Sequence, residues 1–342
     1  MTQIEPALSF VPAPVRPRVG FLGVGWIGLN RMNAIVAADA VDVAAVADPV
    51  PQMATEAKAL APEAEALSTL DEILDSGVDG VVIATPSALH AEQSIRALDR
   101  GVAVFCQKPL GRTEREVTRV IEAARAADRL LAVDMSYRFT EGMCRLRDLV
   151  HSGALGRIYA ADLVFHNAYG PDKPWFYDPE SAGGGCLMDL GVHLVDLALW
   201  TLDRESVAHV SGTKLFSGGE LLAARPDRVE DYAVATLEFA SGTVARVACS
   251  WRLQAGCDAV ICAGFYGTEG GAALRNVNGS FYDFVAERYR GTAQETLATP
   301  PDAWGGRAAV DWATRLAAGE GYDPAVEQLI DVHRIVDQIY GR

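Results

Sequence analysis

A glycine-rich loop near the start of the chain restricts the possible fold more than any other feature. It follows the short apolar run VGFL, precedes a segment with the pattern of a helix, and consists of Gly23-Val24-Gly25-Trp26-Ile27-Gly28. Glycine permits a tight turn at the first position, close approach of a bound group at the second, and close packing of helix on strand at the third. The free N–H groups at the start of the helix can bind an anion. We therefore predict a strand–loop–helix unit that binds phosphate.

An aspartate after the second apolar run indicates what this loop binds. Asp48 follows VDVAAVA and lies 20 residues after Gly28, which is the spacing of a carboxylate that binds the ribose hydroxyls of a dinucleotide. Such a carboxylate repels a 2′-phosphate, and the next residues, Pro49, Val50 and Pro51, include no arginine to bind one. We predict an NAD site, with NADP disfavoured. The alternative is that Asp48 is a solvated loop residue.

The order of the apolar segments predicts two domains. Up to residue 138, short apolar runs alternate with helical patterns such as 87–100 and 114–127, which is typical of a parallel sheet between helices. Longer alternating strands follow, interrupted by one helical segment at 187–202. We predict an α/β protein with an N-terminal Rossmann domain over residues 1–138. A C-terminal α+β domain with a large, mostly antiparallel open sheet is predicted over residues 139–342.

Composition argues against several classes of partner. The formal net charge is −15 and the basic residues form no long run, so neither nucleic acid nor an anionic membrane is expected as a partner. The six cysteines lack zinc-site spacing, so we expect buried, reduced thiols and no metal. The N-terminus lacks the pattern of a signal peptide, and no uninterrupted apolar run of 18 residues occurs. These features favour a cytoplasmic protein.

The predicted strands at 230–240 and 243–252 carry apolar side chains on both faces. A sheet with two apolar faces needs two coverings, and a second subunit would supply one of them. We therefore expect a homodimer or a homotetramer.

Polar residues at two places in the sequence suggest acid–base chemistry. Lys108 follows the apolar run VAVFC, and ligands of open α/β sheets bind at the carboxyl ends of strands. Asp189 and His193 lie four residues apart in a helical pattern, with Asp196 near the same stripe and three glycines just upstream. A polar row among leucines is costly unless its groups are paired or used. The alternatives are a solvated Lys108, a helix-capping Asp189, and a metal-binding stripe.

Four motifs in this order resemble the Gfo/Idh/MocA family, named after glucose–fructose oxidoreductase, inositol dehydrogenase and rhizopine catabolism. They are the glycine loop, Ala84-Thr85-Pro86-Ser87-Ala88-Leu89-His90, Gln107-Lys108-Pro109 and the segment from Gly183 to Asp196. The resemblance covers nearly the whole chain. It implies hydride transfer between NAD and a secondary alcohol or ketone of a sugar, cyclitol or sugar derivative.

Two positions depart from the usual family motifs. Ser87 stands where asparagine is usual, and Gln107 stands where glutamate is usual. The second change removes a neighbouring carboxylate, which stabilises a charged lysine, so we expect a lower pKa for Lys108 than in relatives that carry the glutamate.

The resemblance also implies roles for individual residues. His193 would exchange the substrate proton, Lys108 would stabilise the alkoxide, and Asp189 would orient the substrate or the imidazole. Cofactor contacts are implied for these residues: Gly23, Gly25, Trp26, Ile27, Gly28, Asp48, Thr85, Pro86, His90, Gln107 and Lys108. For His90, packing at the start of its helix is an equal alternative.

Substrate contacts are expected from the catalytic residues and from two further places. Arg138 lies in a segment that resembles the family's domain junction, and its alternative is an interdomain salt bridge. In the loop at 166–177, Asn167, Trp175 and Tyr177 could bind or stack on a sugar. Trp251 is interpreted as a packing or surface residue.

Two other functions remain open. A sensor of sugar or dinucleotide would keep the fold without chemistry. An enzyme that retains NAD while it oxidises, eliminates and hydrates a glycoside would reuse the same lysine and histidine. Only a simple dehydrogenase releases NADH in proportion to the substrate it oxidises.

Overall fold

A computed structural model describes residues 16–224 and 227–342. The first sheet is built from six strands: β1 (Arg18–Leu22), β2 (Asp42–Ala47), β3 (Glu65–Leu67), β4 (Gly80–Ile83), β5 (Ala103–Cys106) and β6 (Leu131–Val133). The connecting helices are α1 (Trp26–Ala38), α2 (Pro51–Leu60), α3 (Leu70–Asp75), α4 (Ser87–Asp99) and α5 (Glu114–Ala127).

All neighbouring strands of the first sheet are parallel, in the order β3-β2-β1-β4-β5-β6. Strands β4 and β5 are buried along their whole length, because helices cover both faces. The strand order reverses between β1 and β4, and a dinucleotide binds in the crevice at such a reversal. The predicted Rossmann architecture is confirmed.

The second sheet begins with β7 and has nine strands. They are β7 (Ile158–Asn167), β8 (Val207–Ser217), β9 (Glu220–Leu221), β10 (Tyr232–Phe239), β11 (Val244–Ser250), β12 (Ala259–Gly267), β13 (Gly271–Asn276), β14 (Phe284–Arg290) and β15 (Ala293–Ala298). The remaining helices are α6 (Glu141–His151), α7 (Pro179–Ala182), α8 (Val192–Thr201), α9 (Arg307–Ala317) and α10 (Gln328–Tyr340).

The order of this sheet is β15-β14-β13-β12-β7-β11-β10-β8-β9. The pair β7–β11 is parallel, and the other neighbouring pairs in the described parts of the chain are antiparallel. The predicted large, mostly antiparallel sheet is therefore confirmed. Because β7 and β11 run in the same direction, the loops that follow their carboxyl ends meet at one edge of the sheet.

The two faces of the second sheet differ in burial. Helices α6, α8 and α10 pack against one face, and β10 directs Ala233, Ala235 and Leu237 towards it. The opposite face of β10 is half-buried and carries Tyr232, Val234, Thr236 and Glu238. This face therefore combines apolar and polar side chains.

The core of the second half contains a nearly continuous helical run. It spans Pro179–Thr201 and includes α7, a π-helical turn at Leu187–Gly191, and α8. Among the described residues this run is long and apolar enough to cross a membrane, but 94 % of its apolar window is buried inside the protein. Its composition is that of a core helix.

Near its end the chain returns to the first sheet. Helix α9 packs beside α1 and β5, and the fully buried Trp312 lies with its ring centroid 5.9 Å from that of Phe105. The division of the chain near residue 138 remains a proposal, and α9 lies beyond that point. Residues 1–15 of the first predicted domain lie outside the described residues.

Candidate active site

The three glycines of the loop motif differ in what a side chain at each position would contact. Gly23 has a φ of 85°, in the left-handed region that favours glycine, and a Cβ there would lie 2.6 Å from the Ala84 carbonyl oxygen. A Cβ on Gly28 would lie 2.2 Å from the Gly23 carbonyl oxygen. A Cβ on Gly25 would meet nothing within 4 Å. The space beside Gly25 is therefore open within the described chain.

The start of α1 fits the pyrophosphate of a dinucleotide. No side chain caps this helix, and its first turn contains no acidic residue, so its first N–H groups are available to an anion. The open space beside Gly25 adjoins these groups. Trp26 is 69 % exposed at the first helical position, and Ile27 is half-buried behind it.

Asp48 connects the glycine loop to the end of β2. Its two carboxylate oxygens accept hydrogen bonds from the backbone N–H groups of Val24, at 2.8 Å, and Val50, at 2.9 Å. Asp48 is therefore not merely a solvated loop residue. A carboxylate offers about four acceptor positions, so two remain for ribose hydroxyls.

His90 joins two loops at the edge of the first sheet. Its ring nitrogens lie 2.6 Å from the Thr85 carbonyl oxygen and 2.7 Å from the Pro109 carbonyl oxygen. The side chain is 1 % exposed, and burial lowers its pKa. These contacts and this burial are those of the packing alternative, and the cofactor contact of His90 stays a prediction. Thr85, which follows β4, lies beside Gly23, and Pro86 directly precedes α4.

The structure brings Lys108 and Asp189 together. The Lys108 Nζ donates to Asp189 Oδ1 at 2.6 Å and to the Asp189 carbonyl oxygen at 2.8 Å. The two side chains are 20 % and 16 % exposed, so the pair is open to the cleft on one side. Asp189 Oδ2 accepts the indole N–H of Trp251 at 3.0 Å. Lys108 is thus not a solvated edge charge, and Asp189 does not cap a helix.

Asp189 and His193 are not joined by a hydrogen bond in this structure. The prediction assumed regular α-helical geometry, in which residues four apart share a face. The π-helical turn at Leu187–Gly191 shifts the hydrogen bonding by one residue. The oxygens of Asp189 bind Lys108 and Trp251 instead. Of the two roles expected for Asp189, orientation of the imidazole is therefore not observed.

His193 lies beside this pair in a mostly apolar setting. It is 6 % exposed and packs edge-on against Tyr137, with ring centroids 5.0 Å apart. Burial lowers its pKa well below 6.5, and the positive charges of Lys108 and Arg31 lower it further. The imidazole is therefore neutral near pH 7, which is the state that accepts a proton.

Gln107 faces away from Lys108. Its amide donates to Asp134 Oδ2 at 2.5 Å, and the same oxygen accepts from Arg31 Nε at 2.6 Å. Both Arg31 and Asp134 are buried. No direct contact between Gln107 and the Lys108 ammonium therefore supports the expected effect of residue 107 on the pKa of Lys108. The carboxylate that contacts Lys108 is Asp189.

Arg138 forms a salt bridge, the kind of contact that was the alternative to substrate binding. Its Nε donates to Asp196 Oδ2 at 2.7 Å, and its Nη2 contacts the other oxygen of the same carboxylate. Asp196 is buried on α8, whereas Arg138 lies in the short helix Ser136–Phe139 between the two sheets. The pair fixes α8 against the junction.

The loop at 166–177 contributes an aromatic wall. Tyr177 packs against Trp251, with ring centroids 5.6 Å apart, and its hydroxyl donates to the Pro171 carbonyl oxygen. Trp175 stacks on its neighbour, and Asn167 accepts the N–H of Tyr169 within the loop. The predicted residues thus share one region, although Asn167 is used by the loop itself.

Trp251 was missed as a site residue. It is buried, as expected, but its N–H binds Asp189. The available signal was its position directly after β11, the parallel neighbour of β7.

The glycines before Asp189 admit another part of the chain. A Cβ on Gly185 would lie 1.9 Å from the Glu230 carbonyl oxygen, and one on Gly184 would lie 1.9 Å from the Tyr340 hydroxyl. The buried Glu230 carboxylate accepts the N–H groups of Gly185 and Leu187 and the hydroxyl of Tyr340. Glu230, which sequence reasoning missed, thereby fixes the segment that carries Asp189.

The acidic stripe around His193 has cationic partners rather than a metal geometry. Asp189 pairs with Lys108, and Asp196 pairs with Arg138. Among residues 16–224 and 227–342, no group of three or more His, Cys, Asp or Glu could hold a metal ion.

Comparisons with known proteins identify the family and the fold. Residues 17–135 match the model of an oxidoreductase family with an NAD-binding Rossmann fold, and residues 143–273 match the GFO/IDH/MocA C-terminal domain. Inositol 2-dehydrogenase 4 of Saccharopolyspora erythraea is 30 % identical over 300 residues, which cover 84 % of each chain.

Solved structures share the whole fold. Levoglucosan dehydrogenase in complex with NADH and levoglucosan has a TM-score of 0.81 at 23 % identity, covering 95 % of this chain and 96 % of that one. GenD2 from gentamicin A biosynthesis, in complex with NAD, has a TM-score of 0.79 at 24 % identity, covering 99 % and 97 %. These structures show the shared fold, and the sequence relative with the two family matches shows that the chain belongs to the Gfo/Idh/MocA family of NAD-binding oxidoreductases.

Proposed function

We propose that this protein transfers a hydride between NAD and a secondary alcohol or ketone of a sugar, cyclitol or sugar derivative. The observation that carries the proposal is the contact of Lys108 with Asp189 beside a neutral, buried His193. Lys108 follows β5 of the first sheet, which also carries the glycine loop, whereas Asp189 and His193 lie in the helical run Pro179–Thr201. Relatives named for inositol and levoglucosan support the substrate class.

In the proposed chemistry, one side chain stabilises charge on the substrate oxygen and another accepts the proton. When bound, NAD accepts the hydride from the carbon that carries the hydroxyl group. The Lys108 ammonium stabilises negative charge on the substrate oxygen, and Asp189 holds this ammonium in place. A ring nitrogen of His193 accepts the hydroxyl proton. In the reverse direction the same nitrogen returns the proton to the oxygen.

The electrostatic setting of His193 suits a transient proton. Lys108 and burial both disfavour the imidazolium, so a proton received from the substrate leaves readily. Lys108 retains its own carboxylate partner throughout. The proposed group therefore returns to its starting state after each turnover.

A screen for reduced cofactor tests the function. Purified protein is mixed with NAD and a panel of free, methylated, phosphorylated and nucleotide-linked sugars and inositols, and NADH absorbance is followed. The proposal predicts NADH equal in amount to the substrate oxidised. A glycoside-processing enzyme that retains NAD would give a new sugar product without free NADH. A sensor would bind the sugar or the cofactor but form neither NADH nor a new sugar product.

NAD rather than NADP is the proposed cofactor. Asp48 supplies negative charge where a 2′-phosphate would lie, and the two residues after it, Pro49 and Val50, carry no positive charge. NAD should therefore bind more tightly than NADP in calorimetry. Equal affinities would contradict the assignment.

We also propose a cytoplasmic location and a homodimer or homotetramer. The described cysteines are all free thiols, although Cys144 and Cys257 are exposed and not buried as expected. Free thiols fit a reducing compartment. The half-buried face of the second sheet is the surface on which we expect the second subunit to pack.

A further inference from the structure

The cationic side chains of the active-site region differ in whether a carboxylate pairs with them. Lys108 pairs with Asp189, Arg31 pairs with Asp134, and Arg138 pairs with Asp196. Each of these three cations contacts its own carboxylate. Arg252 is exposed and forms no ion pair with any described residue.

Arg252 is connected to the catalytic group through two aromatic rings. It follows Trp251, whose N–H binds Asp189. Its guanidinium carbon lies 5.2 Å from the centroid of the Tyr177 ring, and Nη2 donates to the Tyr177 hydroxyl at 3.1 Å. The Tyr177 ring in turn packs against Trp251. Arg252 thus lies at the outer end of a wall that begins at Asp189.

The backbone and the neighbouring loop hold Arg252 in this place. Its φ is 59°, in the left-handed region that non-glycine residues seldom adopt. Such conformations cluster at ligand sites. A Cβ on Gly170 would lie 2.2 Å from the Tyr177 hydroxyl and 3.1 Å from Arg252 Nε. The glycine therefore leaves room for the stacked pair.

The guanidinium is free to bind a ligand. An arginine offers five N–H donors in a planar fork that matches a carboxylate or phosphate. Contact with the Tyr177 hydroxyl uses one side-chain nitrogen. Its contacts with the ring and the hydroxyl of Tyr177 restrict the guanidinium, so less conformational entropy is lost on binding. A neutral polyol does not require an unpaired cation at this position.

We propose that Arg252 determines specificity by binding an anionic substituent, a carboxylate or a phosphate, on the part of the substrate remote from the reacting carbon. This inference rests on the proposed function and narrows its substrate class to acidic sugar or cyclitol derivatives. The reacting carbon lies at Lys108 and His193, and the anionic group lies beyond Tyr177.

Matched substrates and variants test the role of Arg252. The wild type, Arg252→Met and Arg252→Lys are assayed with a neutral glycoside, the corresponding uronic acid and the corresponding sugar phosphate. Arg115→Met, which removes an exposed charge from α5, is the control. Arg252→Met should lower kcat/KM for the anionic substrates by about 10–100-fold, mainly through KM. Arg252→Lys should fall between, because it keeps charge without the fork.

The neutral glycoside separates specificity from general damage. Arg252→Met should change its kcat/KM by less than about threefold, and Arg115→Met should resemble the wild type with every substrate. An equal loss on neutral and anionic substrates, or no loss on either, would overturn the proposal. A larger effect on the uronic acid or on the sugar phosphate shows which anion the site takes.

Binding measurements keep the two proposals distinguishable. If the wild type oxidises no sugar, the proposed function fails. Calorimetry of the NAD-loaded protein with the same uronic acid and sugar phosphate then decides on Arg252. Weaker binding in Arg252→Met than in Arg115→Met would support the site, and equal binding or no binding would reject it.

Discussion

At the scale of single residues, Lys108 and His193 lie in one cleft but in different electrostatic surroundings. The Nζ of Lys108 is held by Asp189, whose Oδ1 lies 2.6 Å away. His193 loses its charge because burial and nearby cations lower its pKa. A hydrogen-bond donor held by a carboxylate thus lies beside a neutral acceptor, although their side chains belong to distant parts of the sequence.

Replacement of either group should slow the chemistry without loss of NAD binding. His193→Asn and Lys108→Ala should each lower kcat by about 10²–10⁴-fold, because both act on the step that transfers the proton. The double variant should lose much less than the product of the two losses. Turnover is measured on a substrate from the screen, and NAD binding is measured by calorimetry.

One result with the same variants would contradict the proposed roles of Lys108 and His193. Turnover like that of the wild type in either one would remove that residue from the mechanism. The pH profile adds a check: since the pKa of His193 lies well below 6.5, the rise in oxidation rate that its deprotonation causes should be complete below pH 6.5.

At the scale of elements, different glycines of the loop before α1 serve the stability of the fold and the binding of the cofactor. Gly28→Ala places a Cβ 2.2 Å from a backbone oxygen, so it should lower the free energy of unfolding by about 1–3 kcal/mol. Gly25→Ala adds a methyl group in open space at a φ of −64°. It should leave the free energy of unfolding within about 1 kcal/mol of the wild type.

Gly25→Ala should nevertheless weaken NAD binding by about tenfold or more, because its methyl group occupies the space next to the first N–H groups of α1. Chemical denaturation without cofactor and calorimetry with NAD give the two readouts. Unchanged NAD affinity in this variant would mean that the pyrophosphate binds elsewhere.

Sequence patterns revealed the elements better than their local irregularities. The parallel strands, the glycine loop and the helical segment at 187–202 all follow from apolar periodicity and glycine placement. The π-helical turn at Leu187–Gly191 does not. It is held by Glu230, which is distant in sequence, and local patterns carry no information about such a partner.

The same reason separates the predicted from the missed site residues. Lys108 and Asp189 lie in motifs whose strand and helix context is readable along the chain. Trp251 and Glu230 act through contacts with Asp189 and its segment that form only after folding. Gln107 was readable as a motif residue, but its partner Asp134 was not.

At the scale of the whole molecule, the half-buried face of the second sheet should determine assembly. It carries Tyr232 and Val234 together with Thr236 and Glu238. Burial of this mixed surface against a second copy would cover its apolar side chains and leave the polar ones for intersubunit hydrogen bonds. Light scattering at micromolar concentration should therefore give the mass of a dimer or a tetramer. The mass of a single chain would contradict this expectation.

The return of α9 to the first sheet has a consequence for synthesis on the ribosome. Trp312 closes over Gly80 and Phe105, yet α9 ends at Ala317, after the last strand of the second sheet has ended at Ala298. Until then the nascent first sheet presents an uncovered apolar surface. The half that is made first can therefore complete its packing only when almost the whole chain has left the ribosome.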